Sequence, residues 1–544
     1  MIKTNEITEF LPPVAVIAEE KTENTATLIK NAVKQVPLRS ETFASVMPKG
    51  YILLDFGKEI SGGVKILTQI VRSPLYSAKI RVRFGESATE ACSELGEKNS
   101  GNHHSTRDFT VNVQNLSEVR LGSTGFRFIR IDNVDDCQID FLAVEATFVH
   151  SDAKRTGDFK SKDNLVDKIW NTAERTIFLN LQNGVMWDGI KRDRLVWAGD
   201  LYVEILSALY IYGDVENVAN SLDMCIENVK RTGWANSIPS YSLWLVLDIA
   251  KYYEFTGNTE YLEKCFEFID DLIGKLEICV GEDGLFDPMK AGANLTTRPY
   301  FIDWPTEGNG ENIYAVEAIL RYALKKIIYL KGVSGRDTAV AEKVLKRAEK
   351  RKCKVTGRKS LNALQILFGG ATDKEFGESL LKNGAEDIST FMAYFILSAM
   401  FKTGCKKESV SVMKEYFSAM LDLGATTFFE DFDIKWKDEC FPLFSLGEKG
   451  KKDIHGDEGA HCYKGFRHSF CHGWASGAVP FIAENVAGVR IDEAGCKKIT
   501  VNPYTDFGEF ECTVALLQGK AKIKVDEKGC KITAPKGVVV KEGD

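Results

Sequence analysis

Asp188-Gly-Ile-Lys-Arg-Asp-Arg-Leu-Val-Trp-Ala-Gly-Asp200 is the stretch on which the reading of this chain turns. Thirteen residues hold three carboxylates (Asp188, Asp193, Asp200), the arginines Arg192 and Arg194, and Trp197. Packing alone does not need that density of mixed charge beside an aromatic ring. A site gripping a polyhydroxylated ligand does: the ring covers apolar sugar faces, while carboxylates and guanidinium forks take hydroxyls. A carboxyl with a tuned pKa then protonates a leaving oxygen. The alternative is a solvated loop with surface ion pairs, leading into a helix.

Helical periodicity surrounds this stretch. Apolar residues recur at i, i+3, i+4 and i+7, as in Leu165, Ile169, Trp170, Ala173 and Ile177. The spacing predicts helices near 164–182, 199–212, 215–230, 240–256, 259–276, 311–331, 336–351, 358–368, 373–383, 387–403, 407–422 and 472–486. Twelve helices with no strong strand runs between them suggest six hairpins in a ring, an (α/α)6 toroid. All eight Trp lie inside this part, five of them (Trp187, Trp197, Trp234, Trp304, Trp436) near polar loops or helix ends. A cleft at one end of the ring accounts for them.

Both flanks read as β. Tyr51–Phe56, Val64–Val71, Lys79–Phe84, Phe109–Val113, Phe126–Val134 and Ile139–Val149 are β-branched or aromatic runs separated by turn residues. They suggest an N-terminal β-sandwich over residues 1–155. The interruption Gly85–Asp108 carries His103 and His104. It is read as a surface loop, with reach into a neighbouring domain's site as the alternative. After the helical part (156–487), Lys498–Val501, Glu509–Leu517, Ala521–Val525, Lys531–Thr533 and Val538–Val540 suggest a small C-terminal sandwich over 488–544. The fold class is thus multidomain α+β.

Composition narrows the function classes. A chain of 544 residues exceeds one compact core. A net charge of −7 without a basic block argues against nucleic acid. No run of about 18 apolar residues argues for a membrane span. The N-terminal Met-Ile-Lys-Thr-Asn-Glu-Ile-Thr-Glu does not read as a secretory signal. Thirteen scattered cysteines without a Cys-x-x-Cys pair suggest buried thiols in a cytoplasmic protein. No phosphate loop or cofactor motif is present in the sequence, so no cofactor is expected.

A hydrolase needs a second carboxylate. The best partner lies in Gly424-Ala-Thr-Thr-Phe-Phe-Glu430-Asp431-Phe-Asp433, followed by Trp436. Two aromatics before Glu430 would desolvate it and raise its pKa. Asp431 and Asp433 are the competing assignments, and a helix-flanking role for Glu430 is the bland one. Four of seven histidines fall between His455 and His472. His468 and His472 are four apart, but the helix is read as starting only at His472, so no metal site is expected. A histidine donating to a sugar hydroxyl or orienting a carboxylate fits better.

These motifs resemble the bacterial α-L-rhamnosidases, glycoside hydrolase family 78. The family's opening motif is matched by Asp188, Arg192, Asp193, Arg194, Trp197, Gly199 and Asp200. Thr426-Thr-Phe-Phe-Glu430, Ser469-Phe-Cys-His472 with its small-residue helix, and Asp303-Trp304 match later signatures in order. The resemblance implies a helical toroid flanked by β-sandwiches and an inverting glycosidase. Asp193 would be the general acid and Glu430 the general base, with carboxyls roughly 6.5–9.5 Å apart to admit a water. Asp188, Arg192, Asp200, Asp303 and His472 would hold the sugar, walled by Trp197, Trp304, Trp244 and Trp436. The family's acid is Glu, and position 193 is Asp, one methylene shorter. A misplacement of about 1 Å can cost on the order of a hundredfold in rate. Either the backbone sits closer, or another group donates the proton, or activity on rhamnosides is weak. The chain is short for the family, which suits small cytoplasmic glycosides. The expected partners are a rhamnose-containing glycoside or oligosaccharide and, in a homodimer, a second copy of the chain. Two alternatives stand beside this: a sugar-binding homologue without catalysis, and a toroid hydrolase or lyase for another sugar.

Overall fold

The computed structural model describes residues 6–29 and 35–543. The first five residues of the expected non-signal N-terminus lie outside it. The helices alternate in burial. In Ala198–Tyr212 every residue is buried, and Pro239–Thr256 and Thr390–Lys402 are buried on nearly all faces. Glu216–Thr232 instead buries only a stripe, Asn217, Val218, Ser221, Leu222, Cys225 and Val229. A helix apolar all round must be surrounded by protein, and one with a single apolar stripe lies outside. The inner helices are Ala198–Tyr212, Pro239–Thr256, Asn312–Val333, Lys359–Phe368 and Thr390–Lys402, with the composite helix from Gly473 to Val486. Each packs on the next, and the last packs on the first. Asn164–Asn180, Thr259–Cys279, Ala339–Ala348, Lys374–Leu381 and Lys406–Asp422 join Glu216–Thr232 as the outer elements. Among the described residues no helix is long and apolar enough to cross a membrane. All thirteen cysteines are unpaired.

The N-terminal part is one seven-stranded antiparallel sheet. Its centre is the 28-residue strand Ala44–Val71, which the sequence suggested as two separate strands. The strand folds back so that Ile139–Phe141 pair with both its ends, Ala44–Val46 and Thr68–Val71. Gly62 lies in this bent strand with φ +148, and a Cβ there would stand 1.9 Å from Thr147 O. Gly62→Ala is therefore expected to destabilise the protein by about 1–3 kcal/mol, read by chemical denaturation. Strands Glu6–Leu11 and Ala15–Glu23 and the short helix Ala88–Cys92 were not foreseen. The hydrophobic core of this sheet also takes in Leu179, Ile190 and Cys471 from the helical part. Ile190 belongs to the stretch that opened the sequence reading, so that stretch is seated on the sheet.

The C-terminal residues form two small sheets. Val489–Glu493, Lys498–Val501 and Val539–Glu542 make one. Phe510–Leu516, Gly519–Asp526 and Gly529–Thr533 make the other, which gains a fourth strand, Asp158–Ser161, paired antiparallel with residues 510–513. The boundary expected between 155 and 156 thus falls just before a strand that completes the far C-terminal sheet.

Candidate active site

Between a short hairpin at 181–186 and helix Ala198–Tyr212, the chain makes a closed loop. Asp188 ties it. Its carboxylate accepts from Gly189 N (2.9 Å), Leu195 N (3.0 Å) and Trp197 Nε1 (3.2 Å). Asp188 N also donates to Leu195 O (3.0 Å). Burial, then the neighbouring charge of Asp193, pushes the Asp188 carboxyl up to about 8. At the loop tip Asp193 and Arg194 both adopt left-handed backbone, φ 60 and 54. Non-glycine residues hold that conformation only where surroundings enforce it. Here Arg194 supplies the enforcement, donating to Ile190 O (3.0 Å) and to Ser123 O (2.7 Å) of the N-terminal sheet.

Glu430 arrives from the loop after helix Lys406–Asp422. The residues before it explain the Thr-Thr-Phe-Phe pattern. Thr426 Oγ1 accepts from Glu59 N (2.8 Å), and Thr427 Oγ1 donates to Phe470 O (2.7 Å). Phe428 N donates to Thr176 Oγ1 (2.9 Å), and Phe429 stacks on Phe470 at 4.0 Å. Glu430 O accepts from Thr390 Oγ1 (2.5 Å) and Trp474 Nε1 (2.9 Å). Its Oε2 accepts from Ser469 N (3.2 Å), and His472 Nε2 lies 3.7 Å from Oε1. Burial raises the Glu430 carboxyl above its usual range, with Arg192 opposing. Burial holds His472 well below its usual pKa, so the ring is neutral.

One guanidinium joins the two acids. Arg192 Nη1 donates to Asp193 Oδ2, Nη2 donates to Glu430 Oε1, and Nε donates to Arg467 O (2.8 Å). The structure therefore brings Asp193, Arg192 and Glu430 to one place. Their exposures differ: the Asp193 side chain is 21% exposed and that of Glu430 4%. One carboxyl is partly open to solvent and the other is buried.

The remaining expected residues divide. Asp200 is buried in the first turn of helix Ala198–Tyr212, its carboxyl raised by burial and then by Asp188 and Glu430. Asp303 accepts from Thr306 Oγ1 (2.6 Å) and Ser389 Oγ (2.9 Å). Trp197 is half-buried and bound to Asp188. Trp304 is half-buried, with Arg298 4.5 Å over its ring. Trp436 is half-buried, edge-on to Phe432. Trp244 lies elsewhere. It is fully buried among Tyr202, Phe368, Phe391 and Phe395, a core residue beneath the site and not a wall of it. A cavity of about 550 Å³, in the range of small-ligand sites, is lined by Asp303, Arg358, Asp431, Trp436 and His461, among others. Asp193 and Glu430 do not line it; Asp431, next to Glu430, connects the two regions.

Asp431 gives a pH handle. Burial, then the charge of Glu430, pushes its carboxyl up to about 7, against about 3.9 in an unfolded chain. A folded-state pKa above the unfolded value contributes stability that is complete below about pH 4 and is lost as pH rises through about 7. Wild type is therefore expected to lose more thermal stability between pH 5 and pH 8 than Asp431→Asn, measured by melting at both pH values.

Two contacts come from the N-terminal sheet, the first weighed in the sequence only as the alternative to a surface loop and the second not foreseen. His104 Nε2 lies 3.2 Å from Asp193 Oδ1, so its loop reaches the site. Lys191, beside Arg192, is buried with its ammonium 3.1 Å from Glu86, 3.3 Å from Glu90 and 3.1 Å from His455 Nε2. It also donates to Phe466 O (2.8 Å) and His468 O (2.5 Å). For Lys191 the signal was Ser87-Ala-Thr-Glu90, a helix-capping pattern. Ser87 caps helix Ala88–Cys92, and its Oγ sits 2.8 Å from His455 Nδ1. His468 Nε2 accepts from Asp431 N (2.9 Å), which commits that nitrogen to the backbone.

Residues 154–308 match the family model of the bacterial α-L-rhamnosidase six-hairpin glycosidase domain. An α-L-rhamnosidase of Formosa agariphila is 25% identical over 177 residues, 30% of this chain and 17% of the relative. Among solved structures, a family 78 rhamnosidase of Bacillus sp. GL1 superimposes with TM-score 0.72 at 18% identity, over 95% of this chain and 55% of that one. A rhamnosidase from Klebsiella oxytoca with rhamnose bound superimposes with TM-score 0.67 at 18% identity, over 88% of this chain and 96% of that one. The match thus spans about a sixth of the curated relative and just over half of the Bacillus chain. Residues 154–308 thus match the bacterial α-L-rhamnosidase six-hairpin glycosidase domain, and the chain shares the fold of the solved family 78 rhamnosidases.

Proposed function

We propose that this chain is an inverting glycoside hydrolase releasing terminal α-L-rhamnose, or a related sugar, from glycosides or oligosaccharides. The observation that carries the reading is Arg192 spanning Asp193 and Glu430, one carboxyl partly exposed and one buried. Asp193 protonates the glycosidic oxygen. Glu430 takes a proton from the water that attacks the anomeric carbon from the opposite face. Arg192 fixes the spacing of the pair, and His472 and Ser469 N orient Glu430. The ring of inner helices is read as the (α/α)6 toroid, with the two C-terminal sheets as its small sandwich.

Turnover of 4-nitrophenyl α-L-rhamnoside, with proton NMR of the first sugar released, tests this. β-L-rhamnose as the first anomer supports inversion, and the α anomer refutes it. The shortened acid at 193 favours one second reading, a sugar-binding protein without catalysis. Saturable binding of rhamnose, with no cleavage across a glycoside panel, would establish that instead.

A further inference from the structure

Asp193 has two oxygens and two different jobs for them. Oδ2 is held by Arg192. Oδ1 faces His104 Nε2 at 3.2 Å, with Arg467 Nη2 more distant at 3.9 Å. His104 does not belong to the helical part. It stands on the Gly85–Asp108 loop of the N-terminal sheet, which is firmly built where it meets the site. Ser105 Oγ donates to Lys191 O (2.6 Å) and lies 2.9 Å from Thr124 Oγ1. Asn102 Oδ1 accepts from Arg107 N (3.0 Å) and Asp108 N (3.1 Å). His104 itself has φ 63, like Asp193 a non-glycine residue in left-handed backbone. Such strain persists where the surrounding structure dictates it and clusters at working sites. His104 also lines a second, open cavity of about 500 Å³, together with Thr106, Phe109, Ser123 and Arg194. Its lining residues His104 and Arg194 are the spatial and the sequence neighbour of Asp193.

We propose that the proton donor of this enzyme is a two-residue unit, Asp193 together with His104 of the N-terminal domain, with that second cavity receiving the aglycone. The inference rests on the hydrolase reading above. The Asp193 carboxyl gives its proton to the glycosidic oxygen, the C–O bond breaks, and its electron pair stays on that oxygen as the alcohol leaves. Water re-protonates the carboxylate left behind once the alcohol departs, while the proton collected by Glu430 returns to solvent. His104 is thus a positioning residue acting through Asp193. It supplies from the neighbouring domain what a carboxyl one methylene short lacks, a fixed direction.

The test compares a good and a poor leaving group. Proton donation matters little for 2,4-dinitrophenyl α-L-rhamnoside and greatly for methyl α-L-rhamnoside. His104→Gln is expected to lower kcat on the methyl glycoside by about 10²-fold, within the range of general acid catalysis, and on the dinitrophenyl glycoside by less than about threefold. Adding His104→Gln to Asp193→Asn should cost nothing further, because both act on one step. Imidazole added to His104→Ala should restore part of the methyl-glycoside rate. Equal losses on both substrates, no loss on either, or additive losses in the double variant overturn the proposal while leaving the hydrolase reading standing. A wild type that cleaves neither glycoside overturns the hydrolase reading, and this proposal with it.

Discussion

Glu430→Gln is expected to lower kcat on 4-nitrophenyl α-L-rhamnoside by about 10²–10⁴-fold, with KM little changed and the melting temperature lowered, because buried Arg192 loses the charge of one partner. The amide keeps the size of the side chain, but its one oxygen can accept from Arg192 or from Ser469 N, which bond different oxygens of the carboxylate, and not from both. It cannot take a proton from water. The loss therefore falls on the chemical step, not on binding. It should not depend on the leaving group, since water activation is needed for every substrate. That separates it from the leaving-group-dependent losses expected at Asp193 and His104. Azide, a nucleophile that needs no base, should restore turnover in the variant and deliver the inverted glycosyl azide. An unchanged kcat would transfer the base role to another carboxyl, Asp431 being nearest in the chain.

Lys191→Met carries the largest expected effect on stability. The ammonium sits between Glu86 and Glu90, both buried, and its loss leaves two carboxylates without their cation. Breaking one side of a buried ion pair costs about 3–5 kcal/mol, because the stranded charge stays desolvated. The cost should grow with pH. Burial already pushes Glu86 up to about 7 although Lys191 opposes it, so without Lys191 its pKa rises further. Below its folded pKa Glu86 is neutral and the loss is smaller; above it Glu86 is charged and the loss is full. Denaturation at pH 5.5 and pH 8 reads this directly. The double variant Lys191→Met with Glu86→Gln should recover part of the loss. Activity should fall beyond what stability explains, because Lys191 precedes Arg192 and fixes the loop that carries it.

Much of the architecture was legible because it is written in local periodicity. A helix expected at 199–212 is found at Ala198–Tyr212, and strands expected at 498–501 and 521–525 are found at Lys498–Val501 and Gly519–Asp526. Strands Glu6–Leu11 and Ala15–Glu23 escaped because their charged, weakly alternating residues carry no clear two-residue period. Asp193, Arg192 and Glu430 were found together because mixed charge beside aromatics is locally conspicuous. Trp244 was placed on the pocket because its residue type suits a sugar platform, yet the same ring fills a core equally well. His104 was singled out, but its reach into the site stood only as the alternative to a surface loop, and Lys191 was not singled out at all. No spacing within one segment encodes a contact between segments about 90 to 260 residues apart.

Strand Asp158–Ser161 has a consequence for synthesis. Its partner, residues 510–513, leaves the ribosome about 350 residues later. At about 5–20 residues per second, the strand waits roughly 20–70 s before it is paired. Until then its backbone donors and acceptors along that side are open to water, to chaperones or to another nascent chain. Truncating the protein anywhere before residue 510 would make that wait permanent. Clipped products should therefore aggregate through residues 158–161 even where the helical ring is whole.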